Sequence, residues 1–294
     1  MKPEDDKHLR LLLRLLEGVK KYDDRSQAAA VQAHSSLWRD DRKVHPYEVS
    51  QGVSHALMVS VDHFQCLHSS LAQLIDGGEP TTVIRLHSQY TLVRGALENA
   101  ARALWILDPT NRLERLTRRL RLAYKETTDS HRVRGLLGAS TNRTLEERRD
   151  QIIALLVSAG APPDTAAKTL RQSPGYGEIL ADAGARLPMG SKPDVGAVVC
   201  EGIWRACSSL AHGDSLGSLN FLEREVIESD GRVALVQFTG SIPLLAQATF
   251  VAVKLLERAF EVFEERAEVS VPSKSVAPRT ASGDPLPAWA VGER

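Results

Sequence analysis

The chain has 294 residues, of which 43% are hydrophobic and 25% charged, and its 37 basic side chains balance its 37 acidic ones. This length accommodates one large domain or two modest ones. The balanced charge excludes a global field that would draw the protein to nucleic acid or to a membrane surface, so any such binding needs a local patch. Three cysteines without framework spacing predict a reducing cytoplasmic location and no disulfides.

Residues 1–45 predict an N-terminal pair of helices. The first helix is covered with leucine except for one polar stripe that repeats every three or four residues, formed by Lys7, Arg10, Arg14, Glu17 and Lys21. The second is expected over about residues 25–39. Arginines interrupt the leucine run, so it is not a signal peptide, and no eighteen apolar residues run together, so no membrane span is expected. The apolar surface predicts burial in the bundle or against a protein partner.

Residues 46–268 predict a helical bundle. Pro46 is expected to open a long helix that Gly77-Gly78 end, and the next helix is expected to start after Pro80. Asp108-Pro109 stop this second helix. Its apolar residues keep steps of three and four over about seven turns and include Val83, Leu86, Tyr90, Val93, Leu97, Ala100, Leu104 and Leu107.

Further helices are expected from about residue 111, after Thr144, and from about Asp194. Thr144 and Glu147 have the spacing of a capping box. Two β-leaning segments at about 221–239 predict a hairpin, with its turn at Asp230-Gly231.

Pro243 is expected to open the last core helix. The predicted fold class is therefore all-α, a helical bundle with one small β-hairpin before the last core helix. Residues 269–294, rich in proline and without a period, predict a disordered tail. Its segment PLPAWAV is either a docking motif for a protein partner or an unselected tail.

The stretch RACSSLAHGD places Arg205 and His212 seven residues apart on one predicted helix. Seven residues make nearly two turns, so both side chains share a face, and Ser208 and Ser209 lie between them. Two interpretations remain open. The residues form a site at a cleft beside the core, or His212 complements a helix C-terminus while Arg205 pairs with Glu201.

The spacing from Arg205 to His212 resembles the R-x(4–6)-H motif of the HEPN superfamily (higher eukaryotes and prokaryotes nucleotide-binding). The segment YTLVRGALENAARALWILDP is similar to a helix of bacterial HEPN-like proteins, and the ending LAHG, the hairpin and the final helix follow in the same order. The likeness covers about residues 80–265. Active members usually carry a polar residue directly after the motif arginine, whereas this chain has Ala206.

The resemblance implies a homodimeric, metal-independent endoribonuclease in a toxin, stress or phage-defence role. His212 would act near the 2′-hydroxyl or the leaving oxygen, and Arg205 would hold the scissile phosphate of the RNA. The alternative function is a non-catalytic scaffold that binds a nucleotide or a protein, which Ala206 favours. No cofactor is expected, because the sequence has no Walker loop, GxGxxG, GxSxG or HExxH motif.

Two further groups are candidate supports for this site. Arg94 and Glu98, four residues apart, and His87 before them either line the cleft or form an ordinary helix surface with one salt bridge. A basic run from residue 112 offers phosphate-binding candidates or is a solvated helix face; the candidates are Arg115, Arg118 and Arg119. No metal site is predicted, because the only dense group of His, Cys and Asp, at DHFQCLH, has no matching partner cluster.

Overall fold

The computed structural model describes residues 3–27, 30–74, 80–139, 142–189, 194–229 and 234–269. Within these ranges the protein is an all-α helical bundle with two small antiparallel hairpins. The first helices are α1 (Pro3–Val19), α2 (Lys21–Gln27), α3 (Ser36–Val44), α4 (Val49–Leu71), α5 (Ser88–Leu107) and α6 (Arg112–Leu136). The later helices are α7 (Leu145–Ser158), α8 (Pro163–Arg171), α9 (Tyr176–Gly184), α10 (Val195–Ala211), α11 (Ser215–Phe221) and α12 (Ile242–Ala267). The strands are β1 (Ala72–Leu74), β2 (Pro80–Thr82), β3 (Glu223–Ser229) and β4 (Ala234–Thr239).

Helix α5 is the central element, with α4 and α12 packed against it and α9 and α10 beside it. Its predicted apolar stripe is buried from Tyr90 to Leu107. Phe64 of α4 and Phe260 of α12 are among the largest fully buried side chains of the same core. One contiguous core therefore fixes the relative position of α5 and α10, on which the candidate site lies.

The first 45 residues share this core. Helix α1 packs against α12 and α4, and it buries Leu12, Leu16 and Val19. Part of its apolar surface is thus covered within the chain, whereas Leu13 is 37% exposed, and contact of this helix with a protein partner stays a prediction. The expected pair of helices is three helices, α1 to α3, because Ser35 caps a separate helix by accepting a hydrogen bond from the amide of Trp38.

Two helix starts differ from the sequence prediction. Helix α4 begins at Val49, after Glu48, rather than at Pro46. Helix α5 begins at Ser88 rather than after Pro80, because residues 80–82 pair with residues 72–74 in a hairpin that the sequence did not reveal. The Gln89 side chain then binds the amide of Arg85 and the carbonyl of Val83, which holds the segment between strand and helix in place.

Other predicted elements are confirmed. Thr144 and Glu147 form the capping box of α7, and Pro243 lies in the first turn of α12. The hairpin of β3 and β4 covers residues 223–239, with a register irregularity between Val226 and Glu228. Its predicted turn at Asp230-Gly231 and the tail beyond Val269 lie outside the described residues. The end of α4 predicted at Gly77-Gly78 is wrong, because the helix ends at Leu71 and residues 72–74 form β1.

None of the helices in these ranges combines the length and apolar character that crossing a bilayer requires. The three cysteines carry free thiols: Cys66 is exposed, and Cys200 and Cys207 are buried in α10. Burial raises the pKa of each of these two thiols to about 12. They are core residues of the helix that carries the candidate site.

Candidate functional site

The candidate site lies where α5 and α10 pack side by side. Arg94 and Glu98 are one turn apart on α5, and the Arg94 Nε donates to Glu98 Oε1 at 2.8 Å. The indole Nε1 of Trp204 on α10 donates to the same carboxylate oxygen at 2.7 Å. Glu98 therefore ties the two helices together and fixes the direction of the Arg94 guanidinium. Both charged side chains are mostly covered, at 23% exposure for Arg94 and 14% for Glu98.

His212 completes this group from the end of α10. It is the C-cap residue of the helix and is exposed, and its Nε2 lies 2.9 Å from Arg94 Nη1. A guanidinium has only donors, so this hydrogen bond requires Nε2 to carry a lone pair. Gly213 follows with a φ of 69°, the left-handed conformation that ends many helices. The structure thus brings a solvent-facing imidazole nitrogen against a fixed arginine.

Arg205 stands apart from this contact. Its Nε and Nη2 donate to Glu201 Oε1 at 3.0 and 2.6 Å, and its guanidinium lies 5.8 Å from the centre of the Trp204 ring. The side chain is 67% exposed. The predicted pairing with Glu201 is therefore present, and the arginine that touches His212 is Arg94. Each of the two arginines is paired with a glutamate, Arg94 with Glu98 and Arg205 with Glu201, so these pairs carry no net charge.

The remaining predicted site residues hold the end of α10. His87, the N-cap residue of α5, donates from Nδ1 to the carbonyl of Leu210 at 2.8 Å. The Ser208 carbonyl accepts from the His212 amide at 3.1 Å. Ser209 Oγ donates to Asp214 Oδ2 at 2.8 Å, and this bond lowers the pKa of the Asp214 carboxyl. The side chains of His87 and Ser209 thus hold the chain on both sides of His212, whereas Ser208 contributes only the backbone carbonyl of a helical hydrogen bond.

The phosphate-binding prediction for the basic run of α6 is corrected by the structure. Arg115 is 4% exposed and pairs with the buried Asp40 of α3 at 2.8 Å. Arg118 is 16% exposed and donates to the Trp105 carbonyl and to Glu114.

The third arginine of this run is also hydrogen-bonded to a neighbouring element. Arg119 is 11% exposed and donates to the Glu48 carbonyl at 3.1 Å. These guanidiniums connect α6 to its neighbours rather than forming a phosphate-binding surface, because buried cations require protein partners.

Among the described residues, no group of three or more His, Cys, Asp or Glu is arranged to hold a metal ion.

Trp204 is the site residue that the sequence analysis did not identify. Its position directly before the motif arginine was visible in the sequence, but the hydrogen bond to Glu98, 106 residues away in the chain, was not.

An imidazole acceptor in contact with a guanidinium donor is suited to an anionic ligand that also carries a hydroxyl group. Arginine binds phosphate oxygens through its planar set of donors, and imidazole accepts a proton from a hydroxyl. No protein-family model matches the chain, and no curated protein or solved structure shows significant similarity to it.

Proposed function

We propose that the surface formed by Arg94, Arg205 and His212 binds RNA and cleaves its phosphodiester backbone without a metal ion. The observation that carries this proposal is the 2.9 Å contact between Arg94 Nη1 and the exposed His212 Nε2. It supplies a base and a phosphate-binding cation at one point. The likeness to the HEPN superfamily, in which R-x(4–6)-H residues act in metal-independent ribonucleases, supports the same chemistry and a homodimeric assembly in a toxin, stress or defence role.

In the proposed reaction, Arg94 Nε stays on Glu98 while a backbone phosphate replaces His212 as the acceptor of Nη1, which leaves Nε2 to the neighbouring 2′-hydroxyl. Nε2 takes the hydroxyl proton, and the 2′-oxygen attacks the phosphorus. The bond to the 5′-oxygen breaks, that oxygen receives a proton from water, and His212 releases its own proton to solvent; the products are a 2′,3′-cyclic phosphate and a 5′-hydroxyl end. Arg94 and Arg205 stabilise the charge that develops on the phosphate oxygens. Glu98 positions Arg94 and does not touch the RNA.

The experiment is cleavage of total RNA and of tRNA by the purified protein in EDTA. We expect His212→Ala to reduce the rate by about 10²- to 10⁴-fold, the usual contribution of a positioned acid or base. Arg94→Ala and Arg205→Ala are expected to reduce it as well. His45→Ala, at an exposed histidine remote in sequence, and Arg258→Ala, at an exposed arginine of α12, are the matched controls. Cleavage that persists in the His212 variant would contradict the proposal.

A second candidate function is non-catalytic binding of a nucleotide or a protein at the same surface. It is favoured by Ala206, which is 4% exposed and faces the core of the bundle, where the likeness leads one to expect a polar residue. Under this alternative, the purified protein binds RNA or nucleotides and leaves the backbone intact. Filter binding of labelled RNA beside the cleavage assay separates the two functions.

A further inference from the structure

A pocket of about 390 Å³ opens next to the end of α10. Its walls come from three parts of the chain: the segment before α5, the helix α11, and the strand β4. The residues that matter most are Leu86, His87, Gly213, Ser218, Leu219 and Phe238. The volume falls within the roughly 300–1,000 Å³ range of small-molecule sites.

The pocket has apolar walls with a few polar groups. Leu86 and Phe238 are partly buried and pack against the core, which fixes their positions, and Leu219 is 40% exposed. The hydroxyl of Ser218 and the imidazole of His87 add polar atoms. Because His87 Nδ1 donates to the Leu210 carbonyl, Nε2 is the nitrogen that accepts a hydrogen bond from a ligand. A flat ligand with apolar faces and a polar edge matches these walls.

The pocket adjoins the end of α10, where the proposed cleavage site lies. Gly213 lines it and is the residue directly after His212. His87 lines it and is hydrogen-bonded to the carbonyl two residues before His212. A group in the pocket therefore lies close to the backbone at His212.

We propose that this pocket receives one unpaired nucleobase of a single-stranded RNA, stacked on the ring of Phe238, while the adjacent phosphate binds at Arg94 and His212. The inference rests on the proposed function and adds its substrate class. Unpaired bases stack on aromatic side chains and expose their hydrogen-bonding edges, whereas bases within a duplex remain in the stack. In this arrangement the apolar walls contact the faces of the base, and the Arg94 guanidinium binds its phosphate.

The test uses the full chain and a short 2′-O-methyl oligoribonucleotide that contains one 2-aminopurine. The probe lacks a free 2′-hydroxyl, so binding is measured without cleavage, and stacking quenches its fluorescence. Phe238→Ala removes the stacking ring and is expected to weaken binding by about 5- to 150-fold, the equivalent of roughly 1–3 kcal/mol per stacked base. Ser218→Trp fills the pocket and is expected to abolish the quenching.

Two variants on α11 provide matched controls. Leu216 is 68% exposed and does not line the pocket, so Leu216→Ala is expected to bind like the unmodified protein. Asn220→Trp places the same added bulk as Ser218→Trp on an exposed position of the same helix. Because Phe238 also packs against the core, the Ser218 and Asn220 pair tests the pocket even where the Phe238 variant folds poorly.

The outcomes separate the two proposals. Quenching that depends on Ser218 and Phe238 supports the base pocket, and it does so whether or not the protein cleaves RNA. Equal binding by all variants, equal affinity for a probe with an abasic site, or no binding of single strands overturns the pocket proposal. Cleavage of RNA that is unaffected by Ser218→Trp also overturns it while leaving the cleavage proposal standing. A preference for duplex over single strands contradicts it as well.

Discussion

Glu98 holds donors from two helices on one carboxylate oxygen. Its removal frees the Arg94 guanidinium and leaves the half-buried Trp204 indole without its acceptor. Glu98 accepts two hydrogen bonds, and each one to a charged group is worth roughly 1.5–3 kcal/mol, so we expect Glu98→Ala to lower the free energy of unfolding by at least about 3 kcal/mol. Urea denaturation followed by circular dichroism measures this loss.

The matched control for that change is Glu201→Ala. Glu201 also accepts from an arginine one turn away, but its partner Arg205 is 67% exposed. An exposed pair of this kind contributes less than about 1 kcal/mol. A loss in the Glu201 variant as large as that in the Glu98 variant would show that the connection through Trp204 does not stabilise the α5–α10 contact.

Position 217 requires glycine because its backbone lies close to Ser209. A Cβ there would meet Ser209 Oγ and lie 2.8 Å from Ser209 Cβ. We expect Gly217→Ala to cost about 1–3 kcal/mol, as overpacking does, and to disturb the hydrogen bond from Ser209 to Asp214.

Gly202, within α10, gives the opposite expectation. No atom lies within 4 Å of a Cβ at this position, and alanine favours the helix over glycine by up to about 1 kcal/mol. Gly202→Ala is therefore expected to raise the midpoint of thermal unfolding, and Gly217→Ala to lower it, in the same calorimetric experiment. A midpoint raised by both variants would contradict the close approach at residue 217.

At the scale of elements, a buried ion pair joins α3 to α6. Asp40 is 1% exposed and binds Arg115 at 2.8 Å and Arg112 at 3.0 Å. Removing one member of a buried pair leaves an uncompensated charge and costs about 3–5 kcal/mol, which is the loss we expect for Arg115→Met. Arg112→Met is expected to cost about 1 kcal/mol, because this side chain is 41% exposed and Arg115 stays in place.

The double variant Asp40→Leu with Arg115→Met tests the electrostatic origin of that loss. Replacing both charges with apolar side chains removes the unpaired charge, so the double variant is expected to be more stable than Arg115→Met alone. Denaturant titrations of the three proteins give the comparison. A double variant less stable than Arg115→Met would assign the loss to packing and to the carbonyls that Arg115 binds at Pro109 and Thr110.

The elements also show what sequence patterns reveal. Apolar periodicity identified the helix that became α5, because a core-facing stripe is encoded locally in the chain. The start of α5 was misplaced because the pairing of residues 72–74 with 80–82 and the side chain of Gln89 decide it, and neither has a period. The basic run of α6 was interpreted as a surface because its partner Asp40 lies 75 residues away.

At the scale of the whole molecule, the candidate site shows the same contrast: the sequence reveals local patterns but not contacts between distant residues. The sequence left open whether Arg94 and Glu98 line a cleft with His212 or form an ordinary helix surface with one salt bridge. It paired His212 with Arg205 because both share one helix, whereas the fold brings Arg94, 118 residues away, to His212. Contacts across the bundle depend on how α5 and α10 pack, and this packing is set by the whole core rather than by a motif.

The reactivity of the three thiols reports how well the core around α10 is closed to solvent. Cys66 is exposed on α4, whereas Cys200 and Cys207 are buried in α10 with pKa values raised to about 12. At pH 8 only roughly one thiol in ten thousand with such a pKa is a thiolate, the form that reacts with iodoacetamide. We expect the native protein to take up one equivalent of reagent and the denatured protein three, as measured by intact mass.

The rate at which the second and third thiols react then reports opening of the bundle around α10. Destabilised variants such as Arg115→Met are expected to label faster at Cys200 and Cys207, because global opening exposes both thiols. The stability that these thiols confer is present below their ordinary pKa near 9 and is lost as the pH rises toward 12, since the unfolded chain releases their protons first. Rapid native labelling at Cys207 would contradict a core in which α10 is fixed, and with it the geometry of the site at its end.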